Sequence, residues 1–90
     1  MTLSLIIPVY NEIDQLDYTL TKLNKLKKKI NKIEFIFIDD FSSDNTFKYL
    51  KKYSKNKKFI KLFRNKKKGL GSAIQEGIKK SKFDYVCIFM

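Results

Sequence analysis

The segment from Ile33 to Asp40 reads IEFIFIDD, an almost continuous apolar run that ends in two neighbouring aspartates. Runs of this kind, rich in Ile and Phe, are typical of strands that are covered on both faces of a parallel sheet. Similar runs extend from Leu3 to Val9 and from Tyr85 to Met90, so we expect three strands of this type. A further run from Phe59 to Phe63 alternates around Lys61, which favours an edge strand.

Helical patterns separate these runs. Apolar residues recur at helical spacing in three segments: Ile13, Leu16, Leu20, Leu23 and Ile30; Phe47, Leu50 and Tyr53; Ala73, Ile74 and Ile78. We expect Asn11 to cap the first helix, Ser43 or Asp44 to cap the second, and the third helix to open near Gly71. The order β-α-β-α-β-α-β predicts an α/β fold, with a parallel sheet of four strands and helices on both faces.

The composition is that of a globular chain with a strong positive charge. The formal net charge is +11, and nineteen of the twenty basic residues are lysines. Two interpretations stay open: a solvated lysine surface, enriched by A/T-rich codons, or an electrostatic role at an anionic membrane surface or around phosphates. Nucleic acid is not an expected partner, because among the twenty basic residues only Arg64 could make the bidentate fork that reads guanine or clamps a phosphate rigidly.

The cysteine and histidine content bears on the cellular setting and on which side chains could act as general base or metal ligand. Cys87 is the only cysteine, which favours a reducing, cytoplasmic setting, and the chain has no histidine. Histidine is a common general base and metal ligand, so neither role can be assigned to it here.

Polar loops follow the first three strands, where ligands bind in open α/β sheets. The first loop is Pro8-Val9-Tyr10-Asn11-Glu12, and by itself it is also compatible with a simple strand-to-helix turn. The second begins with Asp39 and Asp40, two adjacent carboxylates that need donors nearby, such as the ring N–H of a nucleobase. Helix capping explains Ser43 and Asp44, but it does not explain both aspartates.

The third loop runs from Arg64 to Ala73, and it is basic and contains glycine. It leads into a helix N-terminus, an arrangement that favours a phosphate, although a solvated lysine loop is the alternative. Gly69-Leu70-Gly71 begins like a dinucleotide-binding G-x-G-x-x-G motif, but Ile74 occupies the place of the third glycine. No P-loop motif occurs. A nucleotidyltransferase is the enzymatic alternative, but its usual Gly- and Arg-rich loop after the first strand is missing.

Taken together, IIPVYNE (6–12), IDDFSSDNT (38–46) and RNKKKGLGSAIQEGIKKSKFDYV (64–86) resemble family 2 glycosyltransferases. The segment from Gly69 to Ile74, with Gly77 behind it, is most similar to the dolichyl- and polyprenyl-phosphate branch. The resemblance implies the Rossmann-like, nucleotide-binding half of a GT-A fold. It also implies transfer of a sugar from a UDP- or GDP-sugar to an acceptor, which could be a polyprenyl phosphate at the cytoplasmic face of a membrane.

The resemblance also implies roles for single residues. Pro8, Tyr10 and Glu12 match residues that surround the base and ribose, while Ile38 and Asp40 match residues that hold the base. Asp39 is expected to orient its loop. Arg64 and Gly71 match the segment beside the nucleotide sugar.

The metal site of the family falls outside this sequence. Its members bind Mg²⁺ or Mn²⁺ through an Asp-x-Asp motif, which we expect to follow Met90. Residues 1–90 are therefore expected to be the N-terminal nucleotide-sugar-binding part of the domain, without catalytic residues or metal ligands and inactive alone.

Overall fold

A computed structural model describes residues 2–83 and 85–89. The strands are β1 (Thr2–Val9), β2 (Lys32–Asp39), β3 (Ile60–Arg64) and β4 (Tyr85–Ile88). The α-helices are α1 (Leu16–Lys29), α2 (Thr46–Ser54) and α3 (Leu70–Lys80), and a 3-10 turn at Ile13–Gln15 precedes α1. This element order confirms the predicted alternation of strands and helices.

The four strands form one parallel sheet in the order β3-β2-β1-β4. β1 and β2 are the central strands and pair along their whole length, from Thr2 with Lys32 to Val9 with Asp39. The chain adds β2 and β3 on one side of β1 and then places β4 on the other side. The strand order therefore reverses at β1, as in the open sheets that bind ligands beyond the carboxyl ends of their strands.

The two faces of the sheet carry separate apolar cores. One face packs against α1 and α2, and its buried residues include Leu5, Ile7, Leu16, Leu20, Phe35, Phe37 and Leu50. The other face packs against α3 through Ile36, Ile38 and Ala73, with Phe63 alongside. Residues of β2 alternate between these two cores because successive side chains of a strand point to opposite faces. Helices on both faces and the edge position of β3 confirm the sequence prediction.

The fourth strand differs from the prediction. We expected it to be covered on both faces, but Tyr85, Val86 and Ile88 are 62%, 40% and 45% exposed. The reason is that the described helices pack mainly over β1, β2 and β3, whereas β4 pairs with β1 at the edge of the sheet and its faces stay largely uncovered. An apolar run thus identified the strand but not its place at the edge of this sheet. Met90, the last residue of the predicted run, lies outside the described residues.

The predicted cap of the first helix is also wrong. Asn11 does not cap α1, which begins only at Leu16, after the 3-10 turn. Its side chain instead accepts hydrogen bonds from the loop before α2. The predicted cap of α2 is one residue off, because Asn45 occupies the N-cap position without a side-chain hydrogen bond. Asp44 nevertheless accepts the backbone N–H of Thr46, the first residue of α2, through Oδ1 at 2.9 Å.

A buried carboxylate holds the amino ends of three strands. Glu34 is 2% exposed and accepts hydrogen bonds from the Ser4 hydroxyl at 2.5 Å and from the Lys82 backbone N–H at 2.8 Å. Lys61 on β3 forms an ion pair with the same carboxylate at 2.9 Å. Because a buried charge needs such partners, Glu34 ties the connection before β4 to β1 and β3.

Among the residues that the structure describes, no helix combines the length and the apolar character that crossing a bilayer requires.

Gly77 lies in close contact with the sheet, and it gives the first prediction. A Cβ atom at this position would overlap the Cγ2 methyl of Ile6, a fully buried residue of β1. We expect Gly77→Ala to destabilise the fold by roughly 1–3 kcal/mol, as overpacking does. Urea unfolding followed by circular dichroism measures this change.

Gly71→Ala is the matched control, because it lies in the same helix with nothing within 4 Å of the added methyl. It should leave the fold equally stable or stabilise it by roughly 0.5–1 kcal/mol, the usual gain of Ala over Gly in a helix. Equal urea midpoints of unfolding for the two variants would contradict the packing described for α3.

Candidate nucleotide-binding site

A hollow of about 730 Å³ lies at the carboxyl end of β1. Its walls are the end of β1 with the residues that follow it, one face of α1, and single residues from other parts of the chain. The lining residues are Ile7, Pro8, Val9, Tyr10, Asn11, Glu12, Asp14, Gln15, Tyr18, Thr19, Lys22, Asp40, Leu70 and Phe89. The hollow therefore lies where the strand order reverses, between the ends of β1 and β4. An α/β domain with a hollow at this point belongs to the class that binds its ligand at the strand-order switch.

The loop after β1 forms the floor and one wall of the hollow. Pro8 is half-buried at the end of the strand, and Tyr10 is 47% exposed, so the face of its ring is accessible. The Lys68 ammonium lies 5.5 Å from the centroid of the Tyr10 ring. An aromatic face with a cation beside it suits a flat, anionic ligand.

Hydrogen bonds join the first loop to the second. The side-chain oxygen of Asn11 accepts the backbone N–H groups of Ser43 and Asp44 at 2.7 and 3.2 Å. In return, the backbone N–H of Asn11 donates to the Ser42 hydroxyl at 2.9 Å. Asn11 has a φ of 48°, a left-handed conformation that Asn tolerates better than most residues. The Glu12 backbone N–H also donates to the Thr46 hydroxyl at 2.9 Å, so these bonds connect the two loops along their length.

Asp40 connects the second loop to the third. Its Oδ1 accepts the backbone N–H of Gly69 at 2.9 Å and the side-chain amide of Asn65 at 3.0 Å. Asn65 is 3% exposed and also donates to the Gly69 carbonyl oxygen at 3.2 Å. Gly69 has a φ of 136°, where a side chain would strain the backbone. The Gly69 N–H also lies 3.2 Å from Oδ2, so internal donors hold the carboxylate of Asp40 in place and leave one lone pair of Oδ2 for a further donor.

Asp39 points to the other face of the sheet. It is fully buried, and its Oδ2 accepts the Ser42 backbone N–H at 3.1 Å and lies 3.7 Å from Arg64 Nε. The Arg64 guanidinium in turn stacks over the Phe47 ring at 4.0 Å. Asp39 Oδ1 is buried without a hydrogen-bond partner among the described residues. This geometry agrees with a role in orienting the loop, because the side chain does not reach the hollow.

The structure brings together half of the predicted site residues. Pro8, Tyr10, Glu12 and Asp40 line one hollow. The remaining four do not line it: Ile38 is buried under α3, Asp39 and Arg64 pair on the α2 side, and Gly71 is exposed on α3 beside the lining residue Leu70.

Two residues that hold the site together were not predicted from the sequence. Asn11 and Asn65 contact donors and acceptors 25 to 33 positions away in the chain. Their signal was an asparagine shortly after a strand, a residue that commonly bonds to loop backbone.

Glu12 has an unusual electrostatic environment. Burial, together with the negative charge of Asp44, raises the pKa of Glu12 above its ordinary value of 4.5. A carboxylate located where its ionisation is unfavourable is a candidate for a functional residue. It could accept a hydrogen bond from a ligand hydroxyl in the hollow.

The described residues do not form a metal site of their own. Within residues 2–83 and 85–89, no group of three Cys, Asp or Glu side chains could hold an ion. The ligands expected after Met90 lie outside the described residues, so that expectation stays a prediction.

The comparison with protein families identifies the chain. The profile of the family described as glycosyl transferase family 2 matches residues 4–89. The chain therefore belongs to this family, and its parallel sheet with helices on both faces is that of the GT-A fold.

Two curated relatives indicate the range of activities in the family. A poly-beta-1,6-N-acetyl-D-glucosamine synthase of Staphylococcus aureus (strain MSSA476) is 37% identical over 84 residues, which is 93% of this chain and 20% of the synthase. A dolichol-phosphate mannosyltransferase of Pyrococcus furiosus is 32% identical over 84 residues, 93% of this chain and 24% of that enzyme. The chain thus spans about a fifth to a quarter of the length of these relatives.

Solved structures agree with the fold. S. aureus TarS 1-349 in complex with UDP-GlcNAc is 28% identical, with a TM-score of 0.75 over 98% of this chain and 26% of TarS. The mannosyltransferase PcManGT from Pyrobaculum calidifontis, in complex with GDP-Man and Mn²⁺, has a TM-score of 0.80 over 93% of this chain and 25% of that protein. Its identity is 18%, so this second likeness concerns the fold alone.

The raised pKa of Glu12 gives the second prediction. The folded protein binds this proton more tightly than the unfolded chain, so the contribution of Glu12 to stability falls as the pH rises from below 4.5 through the folded-state pKa. Glu12→Gln removes the unfavourable ionisation. We therefore expect the variant to have a higher Tm than the wild type at pH 7, with the difference shrinking towards pH 4, as measured by thermal melts.

Asp14→Asn is the control, because Asp14 is an exposed carboxylate that lines the same hollow. It should not raise the Tm at pH 7. A Glu12→Gln variant that is less stable than the wild type at pH 7 would contradict an unfavourable ionisation of Glu12 in the folded protein.

Proposed function

We propose that the protein transfers a sugar from a nucleotide diphosphate sugar to an acceptor, and that residues 1–90 supply its nucleoside-binding part. The observation that carries this proposal is the convergence of Pro8, Tyr10, Glu12 and Asp40 on one hollow at the strand-order switch. Membership of glycosyl transferase family 2 supports the reaction type. The UDP-GlcNAc complex of TarS and the GDP-Man complex of PcManGT support a nucleotide sugar as donor.

In this proposal each lining residue has a physical task. The exposed ring of Tyr10 packs against the flat base. The carboxylate of Asp40 accepts a ring N–H through the second lone pair of Oδ2, the first being directed at the Gly69 N–H at 3.2 Å. Glu12 accepts a hydrogen bond from a ribose hydroxyl. The lysine-rich loop around Lys68 carries positive charge towards the diphosphate.

Asp39 and Arg64 act indirectly in this scheme. Asp39 is buried against the half-exposed Arg64 side chain and fixes the start of the second loop through the Ser42 N–H. The Ser42 hydroxyl in turn accepts the Asn11 N–H, which fixes the first wall. A methyl group added at Gly71 would have no neighbour within 4 Å, so a ligand can approach the backbone of α3 there.

A divalent ion is part of the proposal for the whole protein. PcManGT binds Mn²⁺ together with its donor, and such an ion neutralises the charge of the departing diphosphate. The described residues do not offer a ligand set, so we assign no step of the reaction to a metal held by them.

The acceptor is a finer proposal, with two candidates supported by different relatives. The dolichol-phosphate mannosyltransferase supports a polyprenyl phosphate at the cytoplasmic membrane face, whereas the poly-N-acetylglucosamine synthase supports a growing polysaccharide. Incubation with radiolabelled UDP-GlcNAc and GDP-Man, followed by separation of lipid-extractable from polymeric product, distinguishes them.

The role of Asp40 is the third prediction. Asp40→Ala removes a charge-assisted hydrogen bond to the base, which contributes roughly 1.5–3 kcal/mol, so affinity for the nucleotide should fall roughly 10- to 100-fold. Isothermal titration of the complete protein with UDP and with GDP measures this loss. An unchanged dissociation constant for both nucleotides would contradict the proposed base contact.

Asn65→Ala is the matched control for Asp40. It removes one of the internal donors to the same carboxylate without removing the carboxylate itself. Because Asn65 acts on the nucleotide only through the position of this carboxylate, which the Gly69 N–H still holds, the affinity should fall no more than roughly fivefold. Equal losses in the two variants would mean that Asp40 only positions the Gly69 loop.

A further inference from the structure

The parallel topology gathers the ends of all three helices at one edge of the sheet. Each helix runs from the carboxyl end of one strand to the amino end of the next. The last turns of α1, α2 and α3, with the turns that follow them, therefore lie together at the amino edge, opposite the hollow. We call residues 27–33, 51–60 and 79–83 the lysine edge.

The lysine edge concentrates the positive charge of the protein. Twelve of the nineteen lysines fall within its 22 residues, and its segments contain no Arg, Asp or Glu. Ten of the twelve are exposed: Lys28, Lys29, Lys32, Lys51, Lys52, Lys55, Lys58, Lys79, Lys80 and Lys82.

Acidic residues are concentrated at the other edge. Six of the nine lie in or beside the loops around the hollow: Glu12, Asp14, Asp17, Asp39, Asp40 and Asp44. Near the lysine edge, Glu34 is buried and paired with Lys61, and Glu76 is 9% exposed and paired with Lys79. Asp84 lies outside the described residues.

Two general causes do not account for this distribution. Lysines in the last turn of a helix stabilise its negative end, but the effect is confined to that turn. It does not explain Lys32, Lys55, Lys58 or Lys82, which follow the helices. A genome rich in A/T codons adds lysine throughout a chain, but it does not keep acidic residues away from one edge.

Aromatic side chains lie among these lysines. The ammonium groups of Lys27, Lys57 and Lys82 lie 5.2, 4.3 and 5.3 Å from the ring centroids of Phe59, Tyr53 and Phe83. All three rings are half-buried, and the Lys27 and Lys57 ammonium groups also donate to the backbone carbonyls of Asn31 and Tyr53 at 2.6 and 2.9 Å. The exposed lysines are therefore the ones that can meet an anionic headgroup layer.

We propose that the lysine edge docks on an anionic lipid bilayer. The charge comes from lysine alone, which suits the diffuse negative potential of a headgroup layer better than the planar, bidentate recognition of nucleic acid. The hollow then faces away from the lipid, roughly 25 Å along strands of eight residues. A donor sugar dissolved in water can reach it without crossing the headgroups.

Vesicle co-sedimentation with a pair of neutralised variants tests this proposal. The edge variant is K28Q/K32Q/K58Q, and the control variant is K48Q/K66Q/K67Q, which has the same net charge but changes exposed lysines on the hollow side. Vesicles of phosphatidylcholine alone are compared with vesicles that also contain phosphatidylglycerol. Each lysine near an anionic surface contributes about 1 kcal/mol, so partitioning of the edge variant should fall roughly 100-fold.

The control variant should bind anionic vesicles within roughly fivefold of the wild type, and no protein should bind phosphatidylcholine alone. Equal losses in both variants would overturn the proposal, because net charge rather than the edge would then drive binding. Single-stranded RNA is then added to the wild type on anionic vesicles. Displacement by less RNA phosphate than there is lipid phosphate would also overturn the proposal, in favour of a nucleic-acid partner.

A second measurement needs no substitution and covers the case in which a variant unfolds. Acetylation of the wild-type lysines is mapped by mass spectrometry with and without phosphatidylglycerol vesicles. Protection should be confined to the lysine edge, while Lys48, Lys66 and Lys67 remain reactive. Uniform protection, or protection only around the hollow, would contradict the proposed orientation.

Discussion

The parallel pairing of β1 with β2 is the constraint on which the rest of the structure depends. Eight residue pairs, from Thr2 with Lys32 to Val9 with Asp39, hold two central strands in one direction and one register. All carboxyl ends of the strands then lie at one edge, and the carboxyl ends of the helices lie at the other. The candidate site and the lysine edge both follow from this single directional choice, since each collects segments that are far apart in the chain.

Register alone does not shape the hollow, because loops after parallel strands are free to separate. Side-chain amides and carboxylates connect them here. Asn11 joins the first loop to the second, and Asp40 with Asn65 joins the second to the third. Because these polar groups already have partners, the loops around the hollow are held in one arrangement, and the proposed ligand would cost little conformational entropy on binding.

The sequence allowed the strands, the helices and the sheet class to be predicted, because hydrophobic period and turn residues are local properties. Contacts between residues that are distant in the chain could not be predicted from it. The exposure of β4 depends on which elements pack over its faces, and an apolar run such as Tyr85–Ile88 does not encode those neighbours. The paired aspartates correctly indicated a need for donors, yet the donors found are Gly69, Asn65, Ser42 and Arg64. No local pattern connects those residues to Asp39 and Asp40.

The two proposals constrain each other through this geometry. If the amino edge rests on a bilayer, the hollow opens roughly 25 Å above the headgroups, because the strands separate the two edges. A polyprenyl phosphate in the same bilayer carries its phosphate at the headgroup level, so it would not reach the hollow in that pose. A polysaccharide chain in the aqueous phase would reach it. Docking by the lysine edge therefore favours the polymeric acceptor, whereas a lipid-phosphate acceptor requires a different face of the protein to meet the membrane.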